Sequence, residues 1–507
     1  MSMTTDQTGM LADDPQRARL VRATGLLCLA FLWVTTARTH VWADARQVCH
    51  AAESLLDHGR PDLPSLERGD VLVGPDGRYY TRFPLVIVLG CTPWVAVNGA
   101  LGGEGVDVGL QALVRGFAPA ALGATSIVGA LRLALVMGAT TSGALITAVA
   151  LMGTPAWVYA RTYNAENVLM CLMTWLVLAW TLARRTGSRR WFWLAVVCTG
   201  LLPHAKLVLA ALMPLCLLYY GWGRFRQTWP DLWRAGLALL PFVAVMAWYH
   251  AIRTGNLSAT GYSAGPEAQL WFDTPPWLGA YGLLLSSGKG VFFYAPFVLL
   301  AASGLRVLAA RDRALAVLLG AVVGWVFISS AMWWGWSGGW AWGPRFLVPL
   351  LPVLCAVSGL SPRVASSPRA CWALVAAGYL VQLGGVLVNA TDYLELLYRH
   401  VPMMGKHGEH MLNAEAPANF FPALSPIIGH WWLAVLMLAG PIFSPEFPAC
   451  RLGMCHIRVP DDIAFFLPDV WPAASAPSMV ALLLLGAVVA AAALRLRRLE
   501  RTDPPSQ

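Results

Sequence analysis

The chain contains 507 residues, of which 57% are hydrophobic and only 12% are charged, and its mean hydropathy is +0.57. A soluble chain usually carries about 25% charged residues, so this composition excludes a soluble surface and predicts an integral membrane protein. The net charge of +9 does not indicate nucleic-acid binding, because the basic residues cluster in short segments between apolar runs, which is the positive-inside pattern.

The N-terminal segment, residues 1–21, is polar and is predicted to be a cytoplasmic tail. The first apolar run follows at about 22–38 and lacks a small-residue cleavage site, which indicates an uncleaved signal anchor. The next stretch, 38–82, is polar and predicts a large first loop on the outward side of the membrane.

Asp44 opens this loop, in the segment Trp42-Ala43-Asp44-Ala45-Arg46. An ionised carboxylate near lipid is costly, so such groups usually persist for a function. Two interpretations stay open. Asp44 is a general base that takes a proton from an acceptor hydroxyl, or it caps a helix or pairs with Arg46.

The apolar runs predict an all-α polytopic membrane protein with about 11–13 transmembrane helices, because one crossing needs about 20 residues. The candidate spans are 22–38, 83–101, 117–137, 143–158, 167–183, 191–204, 206–221, 235–252, 291–309, 314–332, 345–360, 370–388 and 477–494. Between Phe83 and Glu166 there are three runs, whereas the topology set by the arginines needs an even number of crossings. One of these runs is therefore predicted not to span.

Four regions follow from this pattern: the tail 1–21, a transmembrane module at 22–388, an outward region at 389–476, and a last helix with a basic cytoplasmic tail at 477–507. A short run at 431–443 predicts a re-entrant or surface helix. Cys450 and Cys455 either pair in an oxidising compartment or remain two separate thiols. The histidines near Glu409 (His400, His407 and His410) fit no common zinc motif, so no metal site is predicted.

Two charged residues stand at outward ends of apolar runs. Glu166, in Tyr163-Asn164-Ala165-Glu166-Asn167, either binds an acceptor or a metal beside Asp44, or is an acid favoured by the dipole of a helix start. Lys206, in His204-Ala205-Lys206, either pairs with a lipid phosphate as a point charge or snorkels to anchor a helix end.

Two later segments carry the remaining candidates. Ser286-Ser287-Gly288-Lys289-Gly290 places a cation among small residues that admit a phosphate, although the P-loop spacing is absent. Residues 333–345 contain five tryptophans within ten positions and end in Gly343-Pro344-Arg345. Indole rings stack on sugars and also favour the headgroup region, so a sugar site and an interfacial belt both stay open.

In their order along the chain, these elements resemble the C-type glycosyltransferases, polytopic enzymes that use lipid-phosphate sugars. The resemblance covers about residues 20–360 and is strongest to the bacterial branch related to protein O-mannosyltransferases and the lipid A aminoarabinose transferase. Asp44 matches the acid after span one in that family. The family typically has two acids there, whereas this chain has Ala43 and Ala45 beside Asp44, so the resemblance does not support a divalent metal at this position.

The resemblance implies a sugar donor on a polyprenyl phosphate and an envelope lipid, glycan or protein as acceptor. It implies that Asp44 activates the acceptor, which attacks with inversion, on the outward face of a bacterial cytoplasmic membrane. Glu166 would be the second acid or acceptor ligand. The donor phosphate would be bound by Lys206 and Arg345, with Lys289 and Arg82 as weaker candidates. The sugar pocket would be lined by Tyr79, Tyr80, Trp336 and Trp340.

No cofactor is firmly predicted, and a divalent metal is left open as the weaker alternative. Two other classes stay open beside the enzyme: a transporter or flippase of lipid-linked sugars, and a non-catalytic membrane scaffold. A ligase that uses a lipid-diphosphate donor is a further enzymatic alternative. A transporter would not need Asp44 and would carry polar residues at mid-span.

Overall fold

The computed structural model describes residues 15–36, 43–63, 71–100, 108–257, 259, 261, 272–388, 390–401 and 416–439. The predicted last span 477–494 and the pairs Cys450/Cys455 and His407/His410 lie outside the described residues. The backbone of Asp44 is described, but its side chain is not.

Helices make up most of the described chain. In chain order they are α1 (Pro15–Val34), α2 (Ala43–His58), α3 (Leu85–Ala100), α4 (Val108–Val136), α5 (Thr141–Met152), α6 (Pro155–Tyr159), α7 (Ala165–Thr186), α8 (Arg189–Ala205), α9 (Leu212–Gly221), α10 (Phe225–Thr254), α11 (Pro276–Leu285), α12 (Val291–Tyr294), α13 (Ala301–Arg311), α14 (Arg313–Met332), α15 (Leu351–Ser358), α16 (Pro362–Ser366), α17 (Pro368–Leu387), α18 (Ala390–His400), α19 (Ala416–Phe420) and α20 (Pro426–Ala439). Short 3-10 segments occur at Leu207–Ala211, Pro296–Leu300, Arg345–Leu350 and Pro422–Leu424.

Within the described ranges, five helices are long and apolar enough to cross a membrane, by length and composition: Gly116–Val136, Ala165–Thr186, Phe225–Thr254, Arg313–Met332 and Pro368–Leu387. Shorter apolar helices accompany them, among them Thr141–Met152, Leu207–Gly221 and Arg345–Ser358. The predicted class, an all-α multi-pass membrane protein, is confirmed. The total of 11–13 crossings includes a run outside the described residues and stays a prediction.

The two ends of the helical bundle differ in chemistry. At one end, called here the arginine end, Arg185 forms an ion pair with Asp312 (Nη2–Oδ2 2.9 Å) and donates to the Val136 carbonyl. At the opposite end, called the loop end, the buried Arg161 donates to the carbonyls of Thr35 and of Val386 (Nη1–O 2.9 Å to Val386). These contacts fix which helix termini share an end of the bundle.

The fixed termini also show which run between Phe83 and Glu166 fails to cross. Helix α4 passes from Gly116, which lies against Thr36 at the loop end, to Val136 at the arginine end. Helix α3 stays at the loop end, because its Trp94 ring lies 5.5 Å from the ring of Phe117, the residue after Gly116. The run 83–101 is therefore the one that does not cross the membrane. Helix α4 makes one crossing and α5 with α6 makes a second, which gives the even number of crossings that the topology needs.

The run predicted at 143–158 is divided into two helices. Gly153 and Thr154 separate α5 from α6, and Thr154 caps α6 by accepting from the Ala156 amide (3.2 Å) while Pro155 occupies the first turn. Proline is favoured at that position because its missing N–H would have no helical partner. The Gly153 carbonyl lies against Gly378 of α17, where a side chain would clash.

The predicted loop 38–82 contains regular structure. Helix α2 buries Val48, Ala51 and Ala52, at helical spacing, against α3. It is followed by the strands β1 (Asp62–Leu63), β2 (Val71–Val73) and β3 (Tyr79–Thr81), which form an antiparallel sheet in the order β1–β3–β2. The described part of this loop is thus a small folded layer on the bundle.

A buried arginine joins this layer to α10. Arg253 donates from Nη1 to the carbonyls of Thr81 (3.1 Å), Arg82 (3.2 Å) and Phe83 (3.2 Å). Its guanidinium also lies 3.9 Å over the ring of Tyr249, whose hydroxyl donates to the Phe83 carbonyl at 3.0 Å. The exit of the layer is therefore fixed relative to the membrane helices.

Candidate functional site

The first turn of α7 presents Glu166 at the loop end. Asn164 caps the helix, because its Oδ1 accepts from the Asn167 amide at 2.8 Å while its Nδ2 donates to the Tyr159 carbonyl at 2.9 Å. An acid in the first turn also interacts favourably with the helix dipole. The local sequence thus sets both the start of the helix and the place of the carboxylate.

Arg345 meets this carboxylate from the other half of the chain. Its Nε lies 2.6 Å from Glu166 Oε1, and the two side chains are only 18% and 6% exposed. A buried charge is stable only when it is paired. Within the part of the chain that the structure describes, Glu166 Oε2 has no hydrogen-bond partner. Glu166 Oε2 can therefore accept a further hydrogen bond.

The tryptophan- and glycine-rich loop positions Arg345. Gly338 (φ 75°) and Gly343 (φ 59°) adopt the left-handed conformation, and Gly338 lies against the Arg345 side chain, where a Cβ would clash. Lys289 binds the same loop, since its Nζ donates to the carbonyls of Gly339 (3.0 Å) and Ala341 (2.7 Å) and its side chain is only 1% exposed. This contact holds the loop, whereas the predicted donor-phosphate contact of Lys289 stays a prediction.

Lys206 lies close enough to the Glu166–Arg345 pair to interact electrostatically with both residues. It lies in the turn that ends α8, and its Nζ is 4.1 Å from the ring centroid of Phe346, the residue after Arg345. Burial lowers the pKa of the Lys206 ammonium to about 8, the Glu166 carboxylate opposes this shift, and the Arg345 guanidinium adds to it. The structure thus brings together three of the predicted residues, Glu166, Lys206 and Arg345.

A pocket beside this cluster connects it with the folded layer. It is lined by Val48, Phe83, Ile87, Tyr163, Asn164, Ala165 and Arg345. Asp44 is the second residue of α2, one turn before Val48. Arg82 precedes Phe83 and is half-buried. The backbone therefore carries positions 44 and 82 to the neighbourhood of Arg345, and their roles stay predictions.

The predicted sugar-pocket residues occupy different environments. The hydroxyl of the buried Tyr80 donates to Asp76 Oδ2 at 2.9 Å, and Tyr79 is half-buried in the same strand.

The two predicted tryptophans differ in exposure. Trp336 is only 2% exposed, and its ring lies 5.7 Å from that of Phe420. Trp340 is 38% exposed and lies 5.1 Å from the Tyr398 ring. Of the two predicted tryptophans, Trp340 has the surface that a ligand can reach.

Several positioning residues were missed by the sequence analysis. Trp342 donates from Nε1 to Gln382 (2.9 Å), and Gln382 donates to the Tyr294 carbonyl (2.7 Å), which ties the tryptophan-rich loop to α17. The Asn164 cap was also missed, although an asparagine three residues before Asn167 is a helix-start signal. The described part of the chain contains no group of three His, Cys, Asp or Glu residues that could hold a metal ion.

The fold and this cluster define a multi-pass membrane protein with a cation–carboxylate site at the loop end of its bundle. No family model matches the chain, and no curated protein sequence matches it.

Among solved structures, the chain is similar to ArnT from Cupriavidus metallidurans bound to undecaprenyl phosphate, with 17% identity, a TM-score of 0.47, and coverage of 85% of this chain and 82% of ArnT. The same ArnT in the apo state gives 18% identity and a TM-score of 0.45 over 85% of this chain and 81% of ArnT. The archaeal oligosaccharyltransferase AglB from Archaeoglobus fulgidus, in complex with an inhibitory peptide and a dolichol-phosphate, gives 11% identity and a TM-score of 0.42 over 77% of this chain and 59% of AglB. The resemblance to the lipid A aminoarabinose transferase predicted from sequence recurs in this comparison. Similarities of this size assign no substrate or residue role to the present chain.

Proposed function

We propose that this protein is a membrane glycosyltransferase that moves a sugar from a polyprenyl-phosphate donor to an envelope acceptor. The main observation that supports this proposal is the cluster of Glu166, Lys206 and Arg345 at the loop end, next to the helix that bears Asp44. The two cations of this cluster, Lys206 and Arg345, suit a phosphate that gains charge as the sugar departs. The resemblance of the sequence to C-type glycosyltransferases supports the same donor class.

The chemistry assigns one step to each group. Asp44 takes the proton of the acceptor hydroxyl or amine, and the acceptor forms a new bond to the anomeric carbon. The bond from that carbon to the donor phosphate breaks on the opposite face, so the configuration is inverted. Arg345 and Lys206 receive the departing phosphate, with Arg345 offering planar donors and Lys206 a point charge.

Glu166 acts on this step through Arg345. Its Oε1 accepts from the guanidinium Nε, so Arg345 loses little rotamer freedom when it binds a phosphate. Its Oε2 is available to an acceptor hydroxyl. The loop end is proposed to face the extracytoplasmic side of a bacterial cytoplasmic membrane, because the opposite end carries the arginine-rich turns.

The experiment that tests this proposal measures the release of free polyprenyl phosphate. Purified protein in nanodiscs is given a panel of polyprenyl-phosphate sugars and a cell-envelope extract as acceptor. Wild type and Asp44→Asn are compared with Asp57→Asn, a matched change at an exposed aspartate of the same helix α2. We expect release by wild type and D57N, and a loss of at least about 100-fold in D44N, in the range of a lost general base.

Equal release by D44N and wild type removes Asp44 as the base. If the protein binds a lipid-linked sugar but no acceptor leads to release of polyprenyl phosphate, the transferase is contradicted and the transporter is favoured.

A further inference from the structure

Two cysteines of the loop end lie next to each other although 42 residues separate them in sequence. The Sγ atoms of Cys49 on α2 and Cys91 on α3 are 3.3 Å apart. Cys91 is buried, whereas Cys49 is half-buried. This arrangement differs from that of buried cysteines such as Cys355, which lies within the helical core.

The two helices hold the sulfurs of Cys49 and Cys91 close to bonding distance. A disulfide needs sulfurs about 2.05 Å apart and Cα atoms within roughly 4.4–6.8 Å. The sulfurs therefore have to approach by a little over ~1 Å, a shift that side-chain rotation supplies between two helices already packed on each other. Both cysteines lie at the loop end, which is proposed to face the extracytoplasmic side, where disulfides persist.

We propose that Cys49 and Cys91 form a disulfide that fixes α2 to α3 beside the candidate site. The oxidant is a protein or small-molecule disulfide of that compartment. The Cys49 thiolate attacks one sulfur of the oxidant and releases the other as a thiolate, which gives a mixed disulfide. The Cys91 thiolate then attacks Cys49 Sγ and displaces the second sulfur of the oxidant. Two thiols lose two protons and two electrons, and the disulfide of the oxidant is reduced to two thiols.

The link would connect two walls of the pocket at Arg345. Cys49 follows Val48, which lines that pocket, and it lies just over one turn after Asp44. On the other side, Cys91 follows Gly90, which lies against Tyr163, and the Tyr163 hydroxyl donates to the Ile87 carbonyl at 2.7 Å. The disulfide therefore fixes the position of the helix that carries the proposed base.

Peptide mapping of the full-length protein in its native membranes tests the link directly. Thiols are trapped with acid and N-ethylmaleimide before trypsin digestion. Cys49 falls in the tryptic peptide 47–68 and Cys91 in the peptide 83–115. We expect these two peptides joined and lighter by two hydrogens, and we expect both to take the alkylating reagent only after reduction. Alkylation of both thiols without reduction overturns the proposal.

Two variants sharpen the test. In Cys450→Ser/Cys455→Ser the joined peptides should persist, and a link from Cys49 or Cys91 to either of those cysteines in wild type overturns the assignment. In Cys49→Ala the joined species must disappear.

A second readout rests on the proposed function. Reduction of the wild type should lower polyprenyl-phosphate release severalfold, whereas C49A should show the lower rate with and without reductant. If no donor supports release, the transferase fails while the peptide map still decides the disulfide. If the map shows the link but reduction leaves the rate unchanged, the role at the site is overturned.

Discussion

Glu166 and Arg345 are 179 residues apart in sequence, yet Arg345 Nε lies 2.6 Å from Glu166 Oε1 at the loop end of the bundle. The pair joins the start of α7 to the segment after the tryptophan-rich loop. It therefore couples the stability of this end of the bundle to the geometry of the proposed donor site.

Removal of one member of this pair should be more harmful than removal of both. Glu166→Gln removes the carboxylate that the buried Arg345 guanidinium contacts, and breaking such a buried pair costs about 3–5 kcal/mol. The double variant Glu166→Gln/Arg345→Met should recover much of that stability but no transferase activity. Denaturant unfolding and the release of polyprenyl phosphate measure the two quantities.

The exposed pair Arg234–Asp231 (2.9 Å) provides the control. Asp231→Asn should change stability by less than about 1 kcal/mol. Equal losses in the E166Q and D231N variants would contradict a stabilising role of the buried pair.

Lys206 should give donor binding an alkaline limit. Its pKa is lowered to about 8 by burial, and only the protonated form attracts the phosphate. The kcat/KM for the donor, which reports the free enzyme, should therefore fall as the pH rises through about 8. Lys206→Arg should move this limit to higher pH, because a guanidinium stays charged up to a pH of about 12 or above. Lys206→Met should lower kcat/KM below a pH of about 8, to the level that the wild type reaches at higher pH, and should remove the limit.

An unchanged profile in the Lys206→Arg variant would assign the alkaline limit to another group. The matched control is Lys289→Arg, which changes a lysine at the same end of the bundle and should leave the pH of the alkaline limit unchanged.

Lys289 should affect stability and activity together. Lys289→Met removes two hydrogen bonds to carbonyls of the loop that positions Arg345, one of them buried and one part-buried, and each buried group left without a partner costs about 1–3 kcal/mol. We expect a lower unfolding free energy and a kcat loss, measured by denaturant titration and donor kinetics. A variant of normal stability with a raised donor KM alone would instead support the phosphate contact predicted from sequence.

The sequence identifies charged residues more readily than their partners. Glu166, Lys206 and Arg345 stand out because charges at the ends of apolar runs are costly. The pairing of Glu166 with Arg345 depends on tertiary packing, and so does the contact of Lys289 with Gly339 and Ala341. No spacing of residues along the sequence predicts such contacts.

The same limit applies to the fold. The apolar composition of run 83–101 fits a span, and only contacts such as that between Trp94 and Phe117 show that α3 stays at the loop end. Helix α2 was overlooked because its buried face uses small residues, Ala51 and Ala52, within a polar stretch. Its spacing of Val48, Ala51 and Ala52 was nevertheless readable as a helical face.

The two candidate tryptophans of the sugar pocket should separate by function. Trp336 is 2% exposed and packs against Phe420, so Trp336→Ala should cost about 3–5 kcal/mol of stability. Trp340 is 38% exposed, so Trp340→Ala should leave stability within about 1 kcal/mol of wild type while raising the donor KM by roughly 2- to 12-fold, as expected for a lost stacking contact. Trp340→Phe, which keeps an aromatic face, should retain most of the affinity. If W340A and W340F bind every donor of the panel as wild type does, Trp340 is a membrane-interface residue and the sugar is bound elsewhere.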